Sequence, residues 1–205
     1  MLATKNDSDG PYIVSRIPGT GCITIVRRKE YTKNLADVGF QFERYVTGGS
    51  MVDSQETSTV EHIHTMKVGS KTVLFCAEVD AIDSEGSVVE VKASNPRYWG
   101  TKVMFQMISS GSSKLCHGHK NRGVLTHVTM KSLSTVSREA LEYADVNTLE
   151  KNLLQGMDAI QSQLKDDRKY KITFSYGVLK LVPASDRVYT LFPPDHVVAS
   201  LLTKK

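Results

Sequence analysis

Two short segments of the sequence, Glu78-Val-Asp80 and Glu90-Val-Lys92, concentrate three carboxylates and one amine. Both lie in runs rich in β-branched residues, where side chains alternate and the outer residues of each triplet share one face of a strand. Three acids against one base leave an excess of negative charge, which a hard divalent cation such as Mg²⁺ or Mn²⁺ neutralises. The alternative is a buried ion-pair network without chemistry.

The turn between the two segments predicts how they pair. Asp83-Ser-Glu-Gly86 fits a type I turn followed by a glycine in the left-handed region, which is a three-residue hairpin loop. Strands over 72–82 and 87–93 then form a central hairpin in which Asp83 faces Ser87, and both faces of the first strand look buried. In this register the pairs that share one face are Asp80 with Glu90 and Glu78 with Lys92.

A helix upstream carries a further carboxylate. Apolar residues recur at helical spacing from Tyr31 to Val46, and Gly48-Gly49 supplies the end of the helix. Glu43 lies one turn after Gly39, where the missing side chain leaves room beside the carboxylate. Taken alone, a helical glutamate is usually a solvated surface residue.

Taken together, these segments resemble the successive motifs of the DXO-type decapping exoribonucleases, whose core resembles the PD-(D/E)xK nucleases. The matching motifs are Gly39-Phe-Gln-Phe-Glu43-Arg-Tyr45, Glu78-Val-Asp80, Glu90-Val-Lys92 and a downstream helix that bears Gln106. Residues 174–201 are similar to the final strands and helix of that family, so the resemblance extends over nearly the whole chain.

The resemblance implies a set of site residues. One or two divalent cations, Mg²⁺ or Mn²⁺, would be held by Glu43, Glu78, Asp80, Glu90 and the main-chain carbonyl of Val91. Catalytic roles are implied for Glu78, Lys92 and Gln106, the last two in positioning the nucleophile or the scissile phosphate. Without the resemblance, Gln106 would be interpreted as an amide on a helix surface.

The resemblance also implies an activity, namely metal-dependent removal of incomplete or non-canonical RNA 5′ caps, including NAD caps, with 5′ to 3′ exoribonuclease digestion. RNA 5′ ends are the expected partner, and a partner exoribonuclease is left open. Relatives have an N-terminal region with an arginine motif, so we expect residues 1–205 to be a single nuclease domain without that region. Two alternatives remain: an inactive RNA-binding or protein-interaction module on this scaffold, and a PD-(D/E)xK DNA endonuclease.

The fold class expected from periodicity and turn residues is α/β of the α+β type, with a mixed, largely antiparallel central sheet flanked by helices. Residues 47–60 are polar and are predicted to form a surface loop. The other predicted elements are hairpins over 11–28 and 115–130, a helix from Asn95 to Gly111, two helices within 137–166 that break near Asp145, strands over 170–182 and 187–191, and a last helix that opens at Pro194.

A formal net charge of +4 suits a polyanionic partner without identifying one. Lys114, Lys120 and Arg122 concentrate positive charge around the second hairpin, where they are candidate RNA phosphate contacts or a solvated face. His62-Ile-His64 and Cys116-His-Gly-His119 offer zinc-ligand types, with exposed strand histidines or RNA contacts as the alternative.

The sequence also limits where in the cell the protein is expected. It contains no run of about 18 apolar residues, and residues 1–20 lack the apolar core of a secretory signal. The cysteines Cys22, Cys76 and Cys116 are odd in number and widely spaced, which argues against a secreted disulfide framework. We therefore expect an intracellular protein of the nucleus, the cytoplasm or both, with no membrane partner.

Overall fold

In the computed structural model, the described residues are 12–27, 37–48, 60–95, 101–142, 145–175 and 177–184. The chain divides into two compact units: unit 1 comprises residues 1–32 and 152–205, and unit 2 comprises residues 33–151. The fold is α+β, as the sequence predicts, with helices and largely antiparallel sheets. The expectation of a single domain over residues 1–205 stays a prediction.

The helices and strands of the described residues are as follows. The strands are β1 (Tyr12–Arg16), β2 (Ile23–Arg27), β3 (Val60–Val68), β4 (Lys71–Val79), β5 (Ala81–Ile82), β6 (Val88–Ser94), β7 (Lys114–Asn121), β8 (Val124–Ser132), β9 (Tyr170–Ser175) and β10 (Val178–Pro183). The helices are α1 (Val38–Val46), α2 (Lys102–Ser110), α3 (Leu133–Leu141) and α4 (Val146–Gln163). None of these helices is both long enough and apolar enough to cross a membrane.

Unit 1 contains an antiparallel sheet in the order β10-β9-β1-β2. The hairpin predicted over 11–28 is confirmed by the pairing of β1 with β2. The single strand predicted over 170–182 is wrong, because Gly177 adopts a positive φ of 77° and turns β9 back into β10. The strand predicted over 187–191 and the helix predicted from Pro194 lie outside the described residues.

Unit 2 contains the two-stranded sheet β3-β4 and the four-stranded sheet β5-β6-β7-β8, in which β6 and β7 are parallel. Helix α1 packs on one face of the larger sheet, where Phe42 contacts Val91 and Cys116 in a buried cluster. The register places Glu90 beside Leu115 on the other face. Leu115 packs there against α2 and α3. Residues of β6 therefore alternate between an apolar face under α1 and a face under α2 that carries Glu90.

The predicted central hairpin is only partly formed. The strand expected over 72–82 breaks at Asp80, and β4 pairs along its whole length with β3 instead of β6. Only Ala81 and Ile82 pair with β6. The carboxylate of Asp80 accepts a hydrogen bond of 2.8 Å from the main-chain N–H of Val91, so a side chain replaces the next main-chain acceptor of the ladder. Strand β4 therefore separates from β6 without leaving the N–H of Val91 unpaired.

Strand β3 was not predicted as an element, although His62 and His64 were considered as residues of a strand, and its pairing with β4 corrects the expected burial. One face of the β3-β4 sheet is exposed, with Ile63 at 57% and Leu74 at 38% of their full exposure. Cys76 and Glu78 lie on that same exposed face. The prediction that both faces of residues 72–82 are buried is therefore wrong.

Side-chain caps set several helix ends that periodicity alone misplaces. Helix α1 begins at Val38 rather than Tyr31, because Asp37 caps it by accepting a 2.8 Å hydrogen bond from the N–H of Gly39. Residues 31–36, like residues 96–100 near the predicted start of α2, lie outside the described residues. Helix α3 begins at Leu133 rather than near residue 137, because Ser132 caps it.

Three other predicted features are confirmed. Helix α2 ends at Gly111, which has a left-handed φ of 72°. Strands β7 and β8 form the second hairpin, and its turn residues Arg122 and Gly123 both have positive φ. The break between α3 and α4 occurs near Asp145, whose carboxylate accepts hydrogen bonds from the N–H groups of Asn147 and Thr148.

Gly111 and Gly86 provide a matched test of how closely β3 approaches the end of α2. Both have a left-handed φ, but a Cβ on Gly111 would lie 2.6 Å from Nδ1 of His62, whereas nothing lies within 4 Å of a Cβ on Gly86. We expect Gly86→Ala to lower the free energy of unfolding by about 1–2 kcal/mol. Gly111→Ala should cost about 1 kcal/mol more, because the His62 ring must shift. Urea denaturation measures both; equal losses would contradict the close approach.

Candidate active site in unit 2

The loop between β5 and β6 has the predicted geometry. The N–H of Asp83 donates to the carbonyl of Ser87 at 3.0 Å, and the N–H of Gly86 donates to the carbonyl of Asp83 at 3.0 Å. Gly86 has a φ of 79°, in the left-handed region. The pairing of Ala81 with Val89 then makes Asp80 the next residue opposite Glu90. The predicted register is confirmed for this end of the hairpin.

Asp80 and Glu90 converge on the ammonium group of Lys92. Its Nζ lies 2.7 Å from Oε1 of Glu90 and 3.5 Å from Oδ2 of Asp80. Burial lowers the pKa of Lys92, but the charges of Glu90, Asp80 and Glu43 together outweigh it, and the pKa is raised above its usual range. The ammonium is thus firmly charged, in a setting with more acids than bases.

Glu90 is the most buried charged group of this cluster, with 5% of its surface exposed. Burial raises the pKa of Glu90, and the nearby charge of Asp80 raises it further. Lys92 and the hydroxyl of Ser110 oppose that rise without cancelling it. A positive charge beside Glu90 therefore stabilises its ionised form more than it would stabilise that of an exposed carboxylate.

Glu78 is placed differently from the prediction. It lies opposite Glu61 in the β3-β4 sheet, on the exposed face. Its predicted position opposite Lys92 is wrong, because the ladder between β5 and β6 ends at Ala81. Two like charges directly across a strand pair destabilise that pair.

The other three predicted site residues lie on elements that surround Lys92. Glu43 is half-buried on α1 and close enough for its charge to raise the pKa of Lys92. Gln106 is half-buried on α2, one turn before Ser110, and so lies on the helix face that meets Glu90. Val91 is buried, and its N–H is the donor to Asp80.

The carboxylate oxygens of this site are suited to a hard cation, but Asp80 and Glu90 are arranged as an ion-paired cluster with Lys92. Carboxylate oxygens such as those of Asp80 and Glu90 are the ligands that Mg²⁺ and Mn²⁺ prefer. Within the described ranges, no group of three or more His, Cys, Asp or Glu side chains is arranged to hold a metal ion. Lys92 lies within ion-pair distance of both acids, and supplies the positive charge there.

The predicted RNA contacts differ in their surroundings. Lys114 is paired with Asp83 at 2.7 Å and with Glu85 at 2.8 Å, so its charge is neutralised locally. Lys120 and Arg122 lie at the far end of the β7-β8 hairpin, and Arg122 is exposed in its turn.

The histidines considered as zinc ligands have other partners. Nδ1 of His62 donates to the carbonyl of Ser110 at 2.9 Å, and Nε2 of His64 donates to that of Ile108 at 3.0 Å. His119 contacts Thr129 through Nε2 at 3.0 Å. Cys116 lies on the α1 face of the sheet, and strand alternation places His119 away from it on the other face.

Two serines in the site were missed at the level of sequence. Ser110 and Ser112 are buried, and the hydroxyl of Ser110 lies 3.4 Å from Oε2 of Glu90. Helical spacing from Gln106 points to Ser110, since the two residues are one turn apart. The burial of Ser112 follows only from how α2 docks, and the sequence holds no signal for it.

In comparisons with models of known protein families and with curated proteins, no match to this chain was found.

Lys92 and Lys114 allow buried and exposed ion pairs to be compared. Lys92→Met leaves the buried Glu90 without its partner, and we expect the free energy of unfolding to fall by about 3 kcal/mol at neutral pH. Lys114→Met removes the solvent-accessible pairs with Asp83 and Glu85, and should lower the free energy of unfolding much less than Lys92→Met does. Urea denaturation of both variants measures the difference; losses of equal size would contradict the central role of Lys92.

His117 provides a test by pH. It is fully buried beside Lys92 in the register of β6 and β7, and Nε2 donates to the carbonyl of Ser94. Burial lowers the pKa of His117 from 6.5 to about 4. A histidine with a depressed folded pKa stabilises the fold above its unfolded pKa, and this stability is lost as the pH falls from 6.5 towards 4.

His117→Gln keeps a donor for Ser94 but cannot titrate. Between pH 6.5 and 4.5, we therefore expect wild-type stability to fall more steeply than that of the variant, by up to about 1.4 kcal/mol per pH unit. Urea denaturation at several pH values gives both slopes. Parallel slopes would show that His117 is not held neutral by burial.

Proposed function

We propose that the protein is a metal-dependent nuclease that acts at RNA 5′ ends, as a decapping hydrolase and a 5′ to 3′ exoribonuclease, with its site in unit 2. The observation that supports this most is the convergence of Asp80 and Glu90 on Lys92, with the charge of Glu43 close by. The motif resemblance supports the choice of RNA, and Mg²⁺ or Mn²⁺ is the cation that the oxygen donors favour.

The residues would divide the work as follows. Asp80 and Glu90, with Glu43 and the Val91 carbonyl as the further ligands of the proposal, would hold the cation. Such a cation neutralises phosphate oxygens and lowers the pKa of bound water. Lys92 presents a permanent positive charge to a phosphate oxygen or to the attacking water. Gln106 shares the helix face that meets Glu90, where its amide can orient either one.

Substrate binding would depend on positive charge outside the cluster of Asp80, Glu90 and Lys92. Lys120 and Arg122 are proposed to contact the phosphate backbone, which makes RNA binding weaken as salt concentration rises. Lys114 is the poorest of the three candidates, because Asp83 and Glu85 already neutralise it. Glu78 is retained as a candidate ligand only within the motif resemblance, since it lies on the exposed face of the β3-β4 sheet.

A second candidate function is a binding module without turnover. It is favoured by one observation: Lys92 lies 2.7 Å from Glu90 and 3.5 Å from Asp80, and so already balances charge that a cation would otherwise neutralise. A stable ion-pair network of this kind requires no metal. The two functions differ in whether RNA is cleaved when Mn²⁺ is added.

The test uses 3′-labelled RNA with a 5′ monophosphate, a 5′ triphosphate or an NAD cap, with and without Mn²⁺. We expect Asp80→Asn and Glu90→Gln to reduce the cleavage rate about 100-fold or more. Glu139→Gln is the matched control, because Glu139 is also ion-paired with a lysine, Lys131 at 2.8 Å, on another helix of unit 2. Its rate should equal that of wild type.

The outcomes separate the candidates. Equal product from wild type and from the Asp80 and Glu90 variants would overturn the assigned site. RNA binding without any cleavage would favour the binding module. Cleavage of duplex DNA while RNA stays intact would identify a DNA endonuclease built on the same residues.

A further inference from the structure

Both oxygens of the Glu90 carboxylate have partners. Oε1 lies 2.7 Å from Nζ of Lys92, and Oε2 lies 3.4 Å from the hydroxyl oxygen of Ser110. A carboxylate held at one oxygen alone can rotate about its last bond, whereas partners at both oxygens fix its plane. Ser110 therefore contributes to the orientation of the Glu90 carboxylate, beside the shorter contact that Lys92 makes.

A second buried hydroxyl, that of Ser112, lies within hydrogen-bond distance of Ser110. Ser110 and Ser112 are 3% and 1% exposed, and their hydroxyl oxygens lie 2.7 Å apart. Each hydroxyl has one proton to donate. When Ser112 donates to Ser110, the proton of Ser110 is left for Glu90 or for the carbonyl of Met107, at 3.3 Å. The negative charge of Glu90 favours that arrangement, because hydrogen bonds to charged acceptors are the stronger ones.

The position of Ser110 is fixed from the β3-β4 sheet. The last carbonyl groups of a helix lack partners within the helix. Here His62 donates to the carbonyl of Ser110 at 2.9 Å, and His64 donates to that of Ile108 at 3.0 Å. The two histidine rings stack with their centroids 5.2 Å apart. Gly111 ends the helix at a place where a Cβ would collide with the His62 ring.

We propose that Ser110 is a positioning residue for Glu90, oriented by Ser112 and anchored by His62, and that it prepares the carboxylate to bind the divalent cation. This inference rests on the proposed function. Partners that hold a metal ligand by hydrogen bonds typically change metal affinity 10–100-fold when they are removed. Because Ser110 contacts Oε2, it would help the carboxylate keep its orientation if a cation were bound by Glu90.

The experiment measures Mn²⁺ binding to the full chain by calorimetry, together with kcat and KM for RNA. Ser110→Ala should weaken Mn²⁺ binding about tenfold or more. It should lower kcat and leave KM for RNA unchanged, since Ser110 is buried and so is not exposed to contact RNA directly. Ser110→Thr keeps the hydroxyl and should bind Mn²⁺ as wild type does.

Ser109→Ala is the matched control. Ser109 precedes Ser110 on the same helix, and its hydroxyl makes the same kind of bond, 2.9 Å to the carbonyl of Gln106. This variant should bind Mn²⁺ as wild type does. Unchanged Mn²⁺ affinity in Ser110→Ala, or an equal loss in Ser109→Ala, would overturn the proposal.

A stability cycle separates failure of this inference from failure of the proposed function. If wild type neither binds Mn²⁺ nor cleaves RNA, the proposed function fails. Urea unfolding of Ser110→Ala, Glu90→Ala and the double variant then shows whether Ser110 and Glu90 interact. We then expect Ser110→Ala to lower the unfolding midpoint less in the Glu90→Ala background than in wild type. Equal shifts in both backgrounds would overturn the role of Ser110.

Discussion

The attraction between one ammonium group and two carboxylates is the interaction on which the rest of unit 2 depends. Glu90 is nearly buried and close to Asp80, so without Lys92 the two acids would repel each other in a medium that screens charge poorly. Helix α1 adds the charge of Glu43 to the same surroundings. This excess of acid over base gives the cluster oxygen donors of the kind a cation prefers, and it also gives Lys92 a stabilising role in unit 2.

Asp80 links the cluster to the shape of the sheet. Its carboxylate bonds to the N–H of Val91 and so ends the ladder between β5 and β6. Strand β4, which directly precedes Asp80, is then free to pair with β3, and this pairing places His62 against the end of α2. That contact fixes Ser110 beside Glu90. One side chain thus terminates a strand pair, binds the lysine and begins the path that supports the neighbouring carboxylate.

The sequence predicted what local chemistry determines. The loop ending in Gly86 and the register opposite Glu90 were predictable, because turn geometry depends on a few adjacent residues. The position of Glu78 was not predictable. It depends on whether the N–H of Val91 bonds to the Asp80 side chain or to a main-chain carbonyl, and Val91 lies eleven positions from Asp80. Strand β3 escaped prediction since its polar alternation becomes a strand only beside β4. Helical spacing from Gln106 points to Ser110, but the contact of Ser110 with Glu90 forms only when α2 docks on β6.

The most direct measurement of the central claim is anomalous scattering from a crystal of the protein grown with Mn²⁺. We expect a manganese peak within coordination distance, about 2.1 Å, of oxygens from both Asp80 and Glu90. Nζ of Lys92 would then lie further from Oε1 of Glu90 than its present 2.7 Å. A map without a peak at these carboxylates under saturating Mn²⁺, with the ion pair intact, would contradict the account.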